Sequence, residues 1–261
     1  MTTNRQFNLG LDALAKLKLG TDTTPPLQTQ PKADSSALSR ALAEIGTLPR
    51  EALFLGIASD GLPVLLNLHD PLPGPMLVIG DEGAGKTAFL QSIAQSIQFM
   101  HSATELQFAL ITSRPEEWSE LKLTDQVAGM FDVEHEGAQQ LMNSLAGWAH
   151  SNRNAQQSVV LLVDDLESIA KWEMEALQHF RWLLLRGTTR RVWPIVTLNA
   201  ARYGQVLAWL DLFRTRVFGR VENARLAEAL AADNLSALDR LEAGRQFSLR
   251  ENGSWLRFQI P

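Results

Sequence analysis

Eight consecutive residues constrain this chain more than any others. Gly80-Asp81-Glu82-Gly83-Ala84-Gly85-Lys86-Thr87 fits G-x-x-x-x-G-K-[ST] at every fixed position. Each residue type has a physical task. Glycines let backbone amides turn inward around phosphate oxygens, and the N-terminus of the next helix adds partial positive charge. Lys86 then reaches the β and γ phosphates, and the Thr87 hydroxyl is placed to coordinate magnesium. The flanks suit the motif: a short apolar run at 76–79 predicts a strand before the loop, and 86–100 predicts an amphipathic helix after it. Residues Gly80 to Thr87, with Ala88 in the first helical turn, are the expected nucleotide-binding segment.

A second motif supplies the acid this chemistry needs. Ser158-Val159-Val160-Leu161-Leu162-Val163-Asp164-Asp165 is an apolar strand ending in two carboxylates, 78 residues beyond Lys86. Asp164 is expected to help hold the magnesium shell with Thr87, and Asp165 to orient or deprotonate the attacking water. A further apolar run at 106–112 lies between the two motifs, which separates this class from simple kinases and GTPases. No N-K-x-D guanine-reading motif occurs, so ATP is the expected nucleotide. The run at 193–198 predicts the next strand and ends at Asn199, placed either to sense the γ-phosphate or to serve as a turn residue.

Around these motifs, strand and helix patterns alternate. Helices are expected at 136–151, 168–186 and 203–212, and a strand at 216–221. Such alternation predicts a mostly parallel sheet covered on both faces. Hairpins are expected at 52–57 with 63–68, through Ser59-Asp60-Gly61, and at 245–250 with 255–260, through Glu251-Asn252-Gly253. The fold class is α/β, a RecA-like (additional-strand) P-loop NTPase with antiparallel hairpins at both ends. The ATPase domain is expected to occupy 51–261. Ahead of it, residues 37–50 read as a short helix and lead-in. Residues 1–36 read as an N-terminal peptide and flexible linker, with three prolines in 21–36. That peptide either frays or docks on a partner protein.

Composition narrows the function. The chain has no cysteine, which excludes disulfides, thiolate zinc sites and a cysteine nucleophile. His69, His101, His135, His150 and His179 show no ligand spacing, so no metal beyond nucleotide-bound magnesium is expected. No apolar run approaches a membrane span and the start lacks a signal-peptide pattern, so a soluble, cytoplasmic protein without membrane insertion is expected. The net charge of −5 excludes a generally basic nucleic-acid coat. Charge is nevertheless segregated: residues 51–180 carry five basic and 18 acidic side chains, and residues 181–261 carry 13 and seven. All 13 are arginines, whose planar forks match phosphate. They either face nucleic acid or a neighbour's nucleotide, or line solvated helix faces.

From about residue 54 to 259 the chain resembles the FtsK/SpoIIIE–HerA family of hexameric ATP-driven motors. The resemblance rests on Leu55-Gly56, Gly61-Leu62-Pro63-Val64, Asn67-Leu68, and Pro75 to Gly80 with the loop. It rests also on Phe213-Arg214-Thr215-Arg216-Val217-Phe218-Gly219-Arg220-Val221. Ala243-Gly244-Arg245 is similar to a segment of the secretion-associated members. The resemblance implies a homo-oligomer, a hexameric ring, with nucleotide between subunits and an arginine reaching it from the neighbour. Arg216 and Arg220 are the first candidates for that role, and Arg186, Arg190 and Arg191 the second. Three departures stand out. Asp165 replaces the family's glutamate, with Glu167 two residues on. Leu198-Asn199-Ala200 stands where the family has Ala-Thr-Gln. The 261 residues hold no counterpart of the membrane anchor or the DNA-reading winged helix of the division-associated translocases.

Three functions fit these residues. The first is an ATP-hydrolysing ring motor acting on double-stranded DNA. The second is an FtsK-like ATPase of a protein secretion or assembly complex, tethered through residues 1–36. The third is a nucleotide-dependent structural switch that hydrolyses slowly, motivated by Asp165 and Ala200.

Overall fold

A computed structural model describes residues 38, 40–43, 49, 51–151, 156–233, 236–251 and 253–261. The expected peptide and linker at 1–36, and the partner contact assigned to them, lie outside the described residues. Of the lead-in, Leu38 and Leu42 are buried against Phe54.

Ten strands form one sheet: β1 (Ala52–Ala58), β2 (Pro63–Asn67), β3 (Met76–Gly80), β4 (Leu106–Thr112), β5 (Val127–Asp132), β6 (Ser158–Asp164), β7 (Val192–Asn199), β8 (Thr215–Phe218), β9 (Gln246–Glu251) and β10 (Ser254–Gln259). Their order across the sheet is β2-β1-β10-β9-β8-β3-β7-β6-β4-β5. From β8 to β5 all neighbours run parallel. The two expected hairpins are present and extend this sheet: β1 pairs β10, and β9 pairs β8, both antiparallel. The strand carrying Asn199 lies between the one leading to the phosphate loop and the one ending at Asp164.

The continuous apolar strands follow from burial on both faces. Along β3, Met76 and Val78 enter one core cluster while Leu77 and Ile79 enter the other. In β6, Val159, Leu161 and Val163 alternate with Val160 and Leu162 in the same way. Helix α1 (Lys86–Met100) covers one face through Phe89, Leu90, Ile93 and Ile97. Helices α2 (Glu136–Ser151) and α4 (Met174–Arg186) cover the other through Leu141, Leu145, Phe180 and Leu183. Between β6 and α4 lies the short α3 (Leu166–Ile169).

Several expected elements are corrected. The helix expected at 168–186 is two, α3 and α4, because 3₁₀-type bonds from Lys171 to Ser168 and from Trp172 to Ile169 close the first turn. Trp172 Nε1 then anchors the break on the Val133 carbonyl at 3.0 Å. The expected helix 203–212 is a 3₁₀ segment, Ala200–Gln205, followed by one turn, α5 (Leu207–Leu210). The strand expected at 216–221 stops at Phe218. There the chain turns to meet the phosphate loop, with the Asp81 amide donating to the Arg220 carbonyl at 2.9 Å. Gly219 makes that approach fit, since a Cβ on it would lie 3.2 Å from the Ala84 carbonyl oxygen. Apart from short 3₁₀ turns, one strand and one α-helix are additional to the expectation. One is β5, an edge strand whose last three residues are half-buried. The other is α6 (Ala224–Ala231), capped by Asn223 accepting from the Leu226 amide at 3.1 Å.

Candidate nucleotide-binding site

The site lies at the carboxyl ends of the parallel strands, where helix N-termini and loops converge. Gly85 is the N-cap residue of α1, with φ 90°, and contributes no side-chain hydrogen bond. The first turn of α1 contains no acid. Its amides and its dipole therefore stay available to an anion. Gly85 also packs against the Ala243-Gly244-Arg245 segment, and a Cβ on it would come within 2.6 Å of the Gly244 Cα. Gly85→Ala combines that clash with a disfavoured φ, which alone costs about 1–3 kcal/mol. It is expected to lower the melting temperature by several degrees and to weaken nucleotide binding. Differential scanning calorimetry with and without Mg-ATPγS checks both.

Lys86 is buried, and its Nζ donates to the carbonyls of Gly80 at 3.1 Å and Asp81 at 2.8 Å. Burial lowers its pKa, while Asp164, Asp165 and Glu167 favour the charged form. Asp164, at the end of β6, accepts from Thr87 Oγ1 at 2.9 Å and from Thr197 Oγ1 at 2.8 Å. Burial pushes its carboxyl upward, and those two bonds oppose the shift. Asp165 follows in a left-handed conformation, φ 97°. Its amide donates to Thr197 Oγ1 at 2.9 Å and its carboxylate accepts from Ser113 Oγ. Thr87 and Asp164 thus offer two hard oxygen donors side by side, the donor chemistry magnesium takes. They would hold the ion, which supplies charge neutralisation on the phosphates when bound.

The other expected site residues are more dispersed. Asn199 pairs in register with Gly80 across β7 and β3, and its Oδ1 accepts from the Ala201 amide at 3.0 Å, capping the 3₁₀ segment. The Arg220 carbonyl adjoins its own loop, and its guanidinium pairs with Glu222 at 3.4 Å. Asp81 Oδ2 accepts from the Glu222 amide at 2.8 Å, fastening the loop to this segment. Arg216, opposite Leu77, donates to the Leu210 carbonyl at 3.0 Å. Arg190 and Arg191 precede β7 at the opposite end of the parallel strands, Arg191 pairing with Glu51 at 3.3 Å. Arg186 ends α4.

Five site residues escaped the sequence reading. Ser113 and Arg114 directly follow β4, and Arg114 pairs with Glu117 at 2.7 Å. Burial raises the Glu117 carboxyl, which also feels Thr87 and Asp164. Thr197 is the one hydroxyl inside the buried run of β7, and that isolated polarity was the signal for it. Arg202 lies 3.6 Å from Glu167. The signal for the residues after β4 was positional: polar side chains at the carboxyl end of a parallel strand.

Residues 72–193 match the family model described as "AAA domain". The fold is that of a RecA-like P-loop NTPase. The chain is 32% identical over 121 residues to transcription termination factor Rho of Escherichia coli K12, covering 44% of this chain and 29% of that protein. The chain therefore spans under a third of the curated relatives it matches. Among solved structures, Thermomonospora curvata EccC (ATPases 2 and 3), in complex with a signal sequence peptide, superposes with a TM-score of 0.66 at 17% identity. That match covers 92% of this chain and 45% of that one. The pCW3 conjugation coupling protein TcpA with ATPγS gives a TM-score of 0.61 at 13% identity, covering 83% and 68%. At these identities the two likenesses concern the fold. Among the described residues, no helix is long and apolar enough to cross a membrane.

Proposed function

We propose that the chain is an ATP-hydrolysing, ring-forming motor of the FtsK/HerA type that acts on double-stranded DNA in the cytoplasm. One observation carries the hydrolytic reading. Thr87 and Asp164, 77 residues apart in sequence, are hydrogen-bonded at 2.9 Å beside a buried Lys86. That is the arrangement needed to bind Mg-ATP and to stabilise charge on the transferring phosphoryl group. The 13 arginines of residues 181–261 support a phosphate-bearing polymer or a neighbour's nucleotide as their target. Within a ring, Arg216, Arg220, Arg186, Arg190 and Arg191 remain the candidates for an arginine acting across the interface.

A second reading, an ATPase of a secretion or assembly complex, is favoured by the likeness to EccC. Residues 1–36 would then tether the partner. The slow switch draws support from Asp165, whose carboxylate is engaged by Ser113. One set of measurements separates the three: ATP turnover of the full chain with and without duplex DNA, and its mass with and without nucleotide. DNA is expected to raise turnover at least about threefold, with binding that weakens steeply with salt. Equal turnover without salt-sensitive DNA binding removes the DNA motor and leaves the secretion reading. Background turnover with a nucleotide-dependent mass leaves the switch.

A further inference from the structure

Three carboxylates end or follow β6, and one of them accepts no hydrogen bond from another described residue. Asp164 accepts from Thr87 and Thr197. Asp165 accepts from Ser113, and its backbone is pinned through Thr197. Glu167 is 4% exposed, yet neither of its carboxylate oxygens accepts a hydrogen bond from any other residue described. A buried carboxylate left this way costs several kcal/mol, so a fold retains one where chemistry needs an available oxygen. Its charged surroundings belong to the site: Asp165, Arg202 and Lys86 all act on it. The Arg202 guanidinium stands 3.6 Å from one oxygen, close enough to orient the carboxylate without occupying it.

We infer that Glu167 takes the proton of the attacking water in ATP hydrolysis, with Arg202 as its positioning residue. The inference rests on the hydrolytic reading of the same site. The water oxygen forms a bond to the γ-phosphorus as the bond from that phosphorus to the β–γ bridging oxygen breaks. ADP departs with the electron pair, and the water proton passes to a Glu167 oxygen and from there to the released phosphate. Asp165, held by Ser113, then serves to shape the turn rather than to accept the proton. Burial raises the Glu167 carboxyl above the ordinary range and the Asp165 charge adds to the rise, while its own backbone amide, Arg202 and Lys86 oppose it. A base so raised suits proton transfer nearer neutral pH.

The test uses the full chain and three variants: Glu167→Gln, Asp165→Asn and Arg202→Ala. Glu167→Gln is expected to bind Mg-ATPγS within about threefold of the parent and to lose roughly 100- to 10,000-fold in turnover. Asp165→Asn is expected to lose about tenfold or less. Arg202→Ala changes a half-exposed side chain and is expected to move the acid limb of the pH–rate profile to higher pH, because Glu167 loses its cation. Turnover of a folded Glu167→Gln within threefold of the parent overturns the inference. If Glu167→Gln does not fold, an unmoved acid limb in Arg202→Ala overturns it instead. A parent chain that binds Mg-ATPγS without turning over ATP overturns it too, but leaves the nucleotide site standing. A parent that binds no nucleotide removes the site reading itself.

Discussion

Lys86→Ala is expected to lower affinity for Mg-ATPγS by at least about 100-fold in titration calorimetry, while the chain stays folded. Nζ is latched to the carbonyls of Gly80 and Asp81, within the loop that would surround the phosphates. It is also largely desolvated, so its bond to a phosphate oxygen forms in a medium that screens little. Hydrogen bonds to charged groups contribute about 1.5–3 kcal/mol each. Losing two therefore accounts for the expected drop, since 1.4 kcal/mol is about tenfold. The structural cost is smaller. Truncation removes the donor from two loop carbonyls, at about 1–2 kcal/mol, or a few degrees of melting temperature in a domain this size. Affinity retained within threefold would separate the loop from nucleotide binding and withdraw the functional reading with it.

The sequence made the centre of this molecule legible because its chemistry is local. The loop, α1, β4 and β6 follow from contiguous patterns: glycines before a helix, and apolar runs bounded by polar residues. The expected limits of α1, β4 and α2 coincide with the observed ones. What escaped depends on contacts distant in sequence. β5 holds Gly129 and presents three half-buried residues at the sheet edge, so its apolar signal is weak. The break between α3 and α4 depends on Trp172 finding the Val133 carbonyl, 39 residues away. β8 ends early because the chain leaves the sheet to bind the Asp81 amide. The pairing of β1 with β10, which joins the first and last hairpins, has no signature in either strand alone. α6 escaped as well, although its signal is local: Asn223 is a good N-cap, and Ala227, Leu230 and Ala231 follow at helical spacing.

The same distinction governs the second large effect, in which the site's acid works against the stability of the free protein. Asp164 is 2% exposed, with two hydroxyl donors and no cation in hydrogen-bonding contact. Asn fits the same volume. Its oxygen can accept from Thr197, whose own oxygen still accepts from the Asp165 amide, and its NH₂ can donate to Thr87 once that hydroxyl rotates. Asp164→Asn is therefore expected to stabilise the nucleotide-free chain by about 1–2 kcal/mol, raising its melting temperature by about 2–6 °C. The pH dependence carries the same sign. A folded carboxyl raised above its unfolded value makes the folded state bind more protons. The parent then loses stability as pH climbs from the ordinary carboxylate range through the raised value. Asp164→Asn removes that contribution and flattens the slope, leaving the parts due to Glu167 and Glu117, which are raised as well. With Mg-ATPγS the order reverses, because an amide offers no anionic oxygen to a divalent cation. The nucleotide should raise the parent's melting temperature by several degrees and the variant's by little, with turnover falling about 100-fold or more. An Asp164→Asn chain less stable than the parent without nucleotide would show that the carboxylate holds the fold together rather than waiting for a metal.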